Sequence, residues 1–230
     1  GVIAGLFGMA FLIYTTFRPV SQVVRAKSKG VITDLVEVVK VIRERPLLRM
    51  NLMFTAINAL VLGGMVFIIP AFAKDIFEID ERGLGVLFAG VGIGAVAGAM
   101  TMSWTGGVRM AGPALLITDL LFGIFVIIWA HTSSLIVALP FAFLLGYFNS
   151  VHVALGIAVI QFNVPAEVRG RVIGAYEIAW SGFPLGGLAS GSLAAIVGLR
   201  SALTILALGL IIFTIVVASV SSRFRQSRIE

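Results

Sequence analysis

The sequence predicts an all-α fold: a polytopic bundle of membrane helices. Three observations carry that expectation. Hydrophobic residues fill 59% of the 230 positions and charged residues only 12%, roughly half the charged share of a soluble domain. The apolar residues gather into uncharged runs close to the ~20 residues that cross a bilayer. The bases then alternate between the two ends of those runs. Of 17 Lys and Arg, fourteen fall on one side and three, Lys74, Arg82 and Arg200, on the other. An excess of Lys and Arg marks the cytoplasmic side, so the basic side and the C-terminus are expected in the cytoplasm.

Residues 1–17 are apolar and stop at Arg18-Pro19. The run is short for a span and reads as the end of a truncated helix. It opens without a methionine, so the chain reads as a fragment whose preceding part is missing. Residues 18–49 form a basic linker. Within it Val31, Leu35, Val38, Val39 and Ile42 recur at helical spacing with charges between them, the pattern of an amphipathic surface helix. Pro46 ends it. Its basic edge suits an anionic leaflet or the protein's own underside.

Residues 50–221 are expected to form six spans, followed by a basic tail, 222–230. Span 50–73 carries Asn51, Thr55 and Asn58 at i, i+4 and i+7, one polar stripe. Span 83–103 carries Gly90, Gly94 and Gly98, a small-residue ladder for close helix packing. Span 111–130 contains Asp119. Span 135–161 is long enough to tilt or kink and holds Asn149, Ser150 and His152 near its middle. A polar loop, 163–170, leads into span 171–197, and Gly198-Leu199-Arg200 turns into span 201–221.

Several chemistries are excluded or unsupported. There is no cysteine, hence no disulfide framework or thiol chemistry. The two histidines have no metal-ligand spacing, and no phosphate-binding loop is present. No enzyme activity, cofactor or metal is expected. The net charge of +6 sits at membrane boundaries, so nucleic acid is not an expected partner.

Three stretches resemble the second half of a major facilitator superfamily transporter. Glu44-Arg45-Pro46-Leu47-Leu48-Arg49 is similar to the entry into helix seven of the transmembrane secretion effector group, which contains bacterial siderophore exporters. Ile69-Pro70-Ala71-Phe72-Ala73-Lys74-Asp75, with Gly83-Leu84-Gly85 and the glycine ladder, is similar to the end of helix seven and the start of helix eight. Val164-Pro165-Ala166-Glu167-Val168-Arg169-Gly170-Arg171-Val172, with Pro184-Leu185-Gly186 and Gly191, is similar to the loop into helix eleven. The turn 104–109 differs from the superfamily's usual one in carrying no acid. The resemblance implies one six-helix half of a two-bundle fold, with substrate bound between this bundle and a missing N-terminal half. The implied protein is a multi-pass exporter of the bacterial inner membrane, driven by proton antiport.

Site candidates follow from polar groups at membrane depth, where a carboxylate costs about 2.5–3.5 kcal/mol. Glu177 lies roughly 9 Å beyond Arg171 at 1.5 Å per residue. It reads as a proton-coupling or cation-recognising group facing the central cavity, or as a structural partner for an arginine at the cytoplasmic gate. Ser181 shares its face. Pro184 is expected to free the carbonyl of Trp180. Asp119 reads as a structural pair or a second coupling acid, and His152 as a proton carrier or a satisfied hydrogen-bond donor. Asn58, Asn149, Trp180 and Ser181 are candidates to line the cavity. Trp180 and Phe148 could stack an aromatic ligand or simply pack. Arg169 and Arg171 are candidates for a cytoplasmic gate. The expected partners are a small-molecule substrate, protons and the lipid bilayer. Two other readings stay open. One is a permease subunit of a multi-component pump, with segment 33–45 as the docking helix. The other is a non-transporting membrane scaffold.

Overall fold

A computed structural model describes residues 30–105 and 110–220, with the isolated positions 8 and 15. Most of the expected first span, the linker as far as residue 29, Arg109 and the basic tail lie outside the described residues. Among the described residues the fold is all-helical: α1 (Val31–Glu44), α2 (Pro46–Asp75), α3 (Glu81–Trp104), α4 (Ala111–Ala130), α5 (Leu135–Asn163), α6 (Ala166–Ala179), α7 (Gly182–Val197) and α8 (Leu199–Val220). Six helical stretches are long and apolar enough to cross a membrane, with α6 and α7 counting as one stretch of 32 residues.

Local chemistry explains the boundaries. Arg45 is extended and Pro46 occupies the first turn of α2, where a missing N–H costs nothing. Pro46 thus ends α1 and opens α2, so the span begins four residues before the expected 50. Asp80 caps α3 by accepting from the Gly83 N–H at 3.0 Å, and Ser134 caps α5 through Val137. The polar loop expected over 163–170 shrinks to Val164 and Pro165, because α6 starts at Ala166. The turn between α7 and α8 rests on Gly198 alone, at φ 84°, a conformation that favours glycine. Leu199 and Arg200 are already helical.

The expected single span over 171–197 is two helices joined at Trp180 and Ser181. Pro184 cannot donate to the Trp180 carbonyl, yet that carbonyl is not free. The Phe183 N–H donates to it at 3.0 Å, and the Ser181 N–H donates to Ile178 O at 3.0 Å. The chain absorbs the proline by tightening one turn.

In hydrocarbon there is no hydrophobic force between helices, so they associate through close contact. Two helix pairs here meet backbone to backbone. On α3, a Cβ placed on Gly94 would strike the Phe143 carbonyl of α5, and one on Gly98 would stand 2.5 Å from the Tyr147 carbonyl. Gly146 of α5 meets the Val91 carbonyl in return. Gly90 is less constrained, since a Cβ there would find ordinary contacts at 3.6 Å. In the second pair, Gly182 and Gly186 of α7 lie on the Ala56 and Leu60 carbonyls of α2, and Gly63 lies on the Phe183 carbonyl. Ser190, fully buried, belongs to the same contact. Leucine, phenylalanine and Trp129 fill the remaining core, with Phe72 and Trp129 rings 4.9 Å apart.

Linker helix α1 packs on the basic end of the bundle. Val38 is buried, with Val41 and Ile42 beside it, against Leu48, Ile160, Val164, Val168 and Val172. Its apolar face thus packs on the protein's own underside. Val36 and Val39 remain exposed on the other side.

The interlock makes a stability prediction. Gly146→Val forces a side chain into the Val91 carbonyl and is expected to lower stability by at least the ~1–3 kcal/mol of an overpacked core. Gly92→Ala, where no atom lies within 4 Å of the new Cβ, is the control and should melt at or slightly above wild type, since Ala is the better helix former. Thermal denaturation of the detergent-solubilised protein measures both.

Candidate functional site: a buried cluster around a carboxylate

The polar stripe on α2 turns inward. Asn51, Thr55 and Asn58 are all fully buried, because their face of α2 meets α4 and α5 rather than an open surface. Asn58 Nδ2 donates to Asp119 Oδ1 at 2.8 Å. His152 Nδ1 stands 3.0 Å from the same oxygen. That approach is too oblique for an aligned N–H···O bond, so the contact is chiefly electrostatic. On its far side His152 Nε2 meets Thr55 Oγ1 at 3.3 Å, with the donor set by the ring tautomer. One turn lower, Asn51 Nδ2 donates to the Gly156 carbonyl at 3.1 Å.

Three helices therefore converge on one carboxylate. Asp119 and His152 are 0% exposed. Counting from the basic ends of their helices at about 1.5 Å per residue, Asp119 lies about 12 Å deep, His152 about 16 Å and Asn58 about 18 Å. These depths bracket the middle of a ~30 Å hydrocarbon core. A hydrogen bond to a charged group contributes about 1.5–3 kcal/mol, comparable to the cost of placing the carboxylate there. Asp119 Oδ2 and Asn58 Oδ1 keep no aligned partner, so the carboxylate is held but not saturated.

The expected site residues fall into three groups. Asp119, His152 and Asn58 are brought together, and Asn58 and His152 are sealed inside the bundle. Asn58, a cavity-lining candidate, faces α4 and α5 of the described bundle. Asn149 is half-buried, one turn from His152, with a buried Oδ1 that finds no partner. Glu177 and Ser181 share an exposed face of α6 and the break that follows it, and Trp180 is half-buried beside them. Phe148 stacks on Phe125 at 5.5 Å, so packing is its use here.

Arg169 and Arg171 are engaged at the basic end. Arg169 donates to the Val164 carbonyl through Nε at 3.3 Å and Nη2 at 3.1 Å, which clasps the short connection before α6. Arg171 pairs with Glu37 of α1 at 2.7 Å. At the opposite end Arg200 reaches the Thr132 carbonyl and Ser133 Oγ. Among the described residues no group of three His, Asp or Glu side chains could hold a metal ion.

Tyr176 escaped the sequence reading. It is 2% exposed, on the inner face of α6, and packs on Gly156, where an added Cβ would lie 2.8 Å from its hydroxyl. Thr55 and Trp180 neighbour that hydroxyl, yet none of its contacts is an aligned hydrogen bond. A tyrosine in an apolar span, whose O–H needs a partner, was the available signal.

Residues 1–182 match the sequence profile of the Major Facilitator Superfamily. The chain belongs to the major facilitator superfamily. No curated protein matches it closely enough to add a relative. A major facilitator protein with six apolar helical stretches is a multi-pass membrane transporter, from a family of transporters rather than enzymes.

In this major facilitator chain the Glu37–Arg171 pair ties the linker helix to the start of α6. Both side chains are partly exposed, at 38% and 23%, so the pair contributes roughly 0–1 kcal/mol. Glu37→Gln is expected to speed amide hydrogen exchange across 31–44 while leaving the melting temperature of the bundle unchanged. Exchange mass spectrometry reads the first and calorimetry the second.

Proposed function

We propose that this chain is the C-terminal half of a twelve-helix secondary transporter in a bacterial inner membrane, with its C-terminus in the cytoplasm. It exports small amphipathic molecules, such as drugs or siderophore-like metabolites, in exchange for protons. The two halves rock about the substrate site in alternating access. The resemblance to the secretion effector group supports the export direction, and apolar walls with few polar anchors suit such cargo.

The observation that carries the coupling role is the 3.0 Å contact of Asp119 and His152, both fully buried. Inside a membrane, chains of acids and histidines mark proton pathways. With neutral imidazole and ionised carboxylate the pair carries one negative charge. One added proton makes it neutral overall, as an ion pair or as two uncharged groups. That change takes place away from water, where charge is costly. It can therefore bias the transporter between conformations that hydrate the pair and those that seal it. Glu177, exposed beside the helix break, is the second acid and suits contact with a cationic substrate.

The test is transport by the full-length protein in proteoliposomes, using a panel of lipophilic cations and chelators. Asp119→Asn is expected to abolish export driven by a pH gradient while counterflow of the same cargo continues. Gradient-driven export at wild-type rates in Asp119→Asn removes the coupling role of the pair. Glu177→Gln separates the two acids: coupling at the buried pair leaves gradient-driven export in place, and its loss there moves the role to Glu177.

A further inference from the structure

The Tyr176 hydroxyl is a buried polar group that the proposed coupling pair does not use, and its position is unusual. It sits between the buried cluster and the only break in a membrane-spanning helix among the described residues. Thr55 is on one side of it, and Thr55 also meets His152 at 3.3 Å. Trp180, the first residue of the break, is on the other. Asn51 Oδ1, buried and without a partner, lies close by: it and the tyrosine hydroxyl fall 3.2 and 2.8 Å from one point over Gly156. Glycine at 156 is what lets the ring lie against the α5 backbone.

We propose that Tyr176 is a positioning residue that transmits the protonation state of the Asp119–His152 pair to the helix break at Trp180–Ser181. The inference rests on the coupling role given to that pair above. The link is the direction of hydrogen bonding. When His152 Nε2 carries no proton, it accepts from the Thr55 hydroxyl, and Thr55 Oγ1 is left to accept from the Tyr176 O–H. When Nε2 is protonated it donates to Thr55 Oγ1. The Thr55 proton then turns toward the Tyr176 oxygen, and the tyrosine proton turns to Asn51 Oδ1. No bond to a heavy atom is made or broken beyond the one proton gained at Nε2. The Thr55–Tyr176 contact persists in both states with its direction reversed, and Asn51 Oδ1 is engaged only in the protonated one, which draws the hydroxyl toward Asn51. A ring shift of that kind moves Trp180, four residues on and one turn away.

The charged groups that bear on this chain are few. Asp119 reaches His152 directly and Glu177 adjoins Tyr176 on α6. The other described charges of the packed helices lie on α1 at the basic end, as Glu37, Lys40, Arg43 and Glu44, or toward the helix ends: Arg49, Lys74 and Asp75 on α2, Glu81 and Arg82 on α3, Glu167, Arg169 and Arg171 on α6, and Arg200 on α8.

The proton itself serves as the probe, and Trp180 as the reporter. Fluorescence of the purified full-length transporter is titrated with pH, and the Trp180→Phe titration is subtracted as a blank. A pH-dependent shift in the Trp180 emission is expected in wild type. It should vanish in Asp119→Asn, Tyr176→Phe and Thr55→Val, and return in Thr55→Ser, which restores the hydroxyl. The Thr55 pair keeps the test decisive even if Tyr176→Phe fails to fold. Absence of any shift in wild type overturns the inference. A shift lost in Asp119→Asn but kept in Tyr176→Phe and Thr55→Val also overturns it, and leaves the coupling role standing. A shift kept in Asp119→Asn removes the pair as the sensor, and the transmission with it.

Discussion

A single constraint shapes the bundle: a carboxylate at membrane depth must be answered by groups of the protein, because hydrocarbon offers it nothing. Asp119 on α4 meets that constraint through Asn58 of α2 and His152 of α5. Three helices are thereby brought into one register. The match is local and directional, unlike the apolar packing around it, so it selects which face of α2 turns inward. The rest of the stripe follows, with Thr55 at the far side of the imidazole and Asn51 on the Gly156 carbonyl.

Backbone contact supplies the rigidity that such a cluster needs. The α3–α5 and α2–α7 pairs meet at glycines, where even one methyl group would collide with a carbonyl. Rigid pairs move as units, which is what rocking of a whole bundle requires. The exception is the joint at Trp180 and Ser181. There Gly182 and Pro184 interrupt the helix, and a tightened turn takes up the proline. The joint lies beside the buried polar cluster, and the residues just after it, Gly182 and Phe183, hold α2 at backbone distance.

Much of the architecture could be read from residue order. Hydropathy and the alternation of bases marked the spans, and one of them, Ala111–Ala130, was drawn to the residue. The glycine ladder on α3 announced close packing and found it at Gly94 and Gly98. Pro46 marked the end of α1 because its effect is local. The errors arose where a local signal met a tertiary one. Residues 163–170 read as loop, yet Val168 and Val172 bury against α1 and draw the chain into helix from Ala166. Pro184 read as freeing a carbonyl, and a neighbouring N–H took it.

The sequence by itself determined the class of fold and the identity of the polar residues within its apolar runs. These depend on period and composition, which are properties of adjacent residues. Only the tertiary structure decided who pairs with whom. Asp119 and His152 are far apart in the chain, and nothing in either span names the other. Helix rotation about its own axis sets which side chains meet, and that rotation satisfies both the polar match and the glycine contacts of α2 with α7 and of α5 with α3. The same rotation sealed Asn58 and His152 within the bundle, left Glu177 on its surface, and set the unmatched hydroxyl of Tyr176 between them.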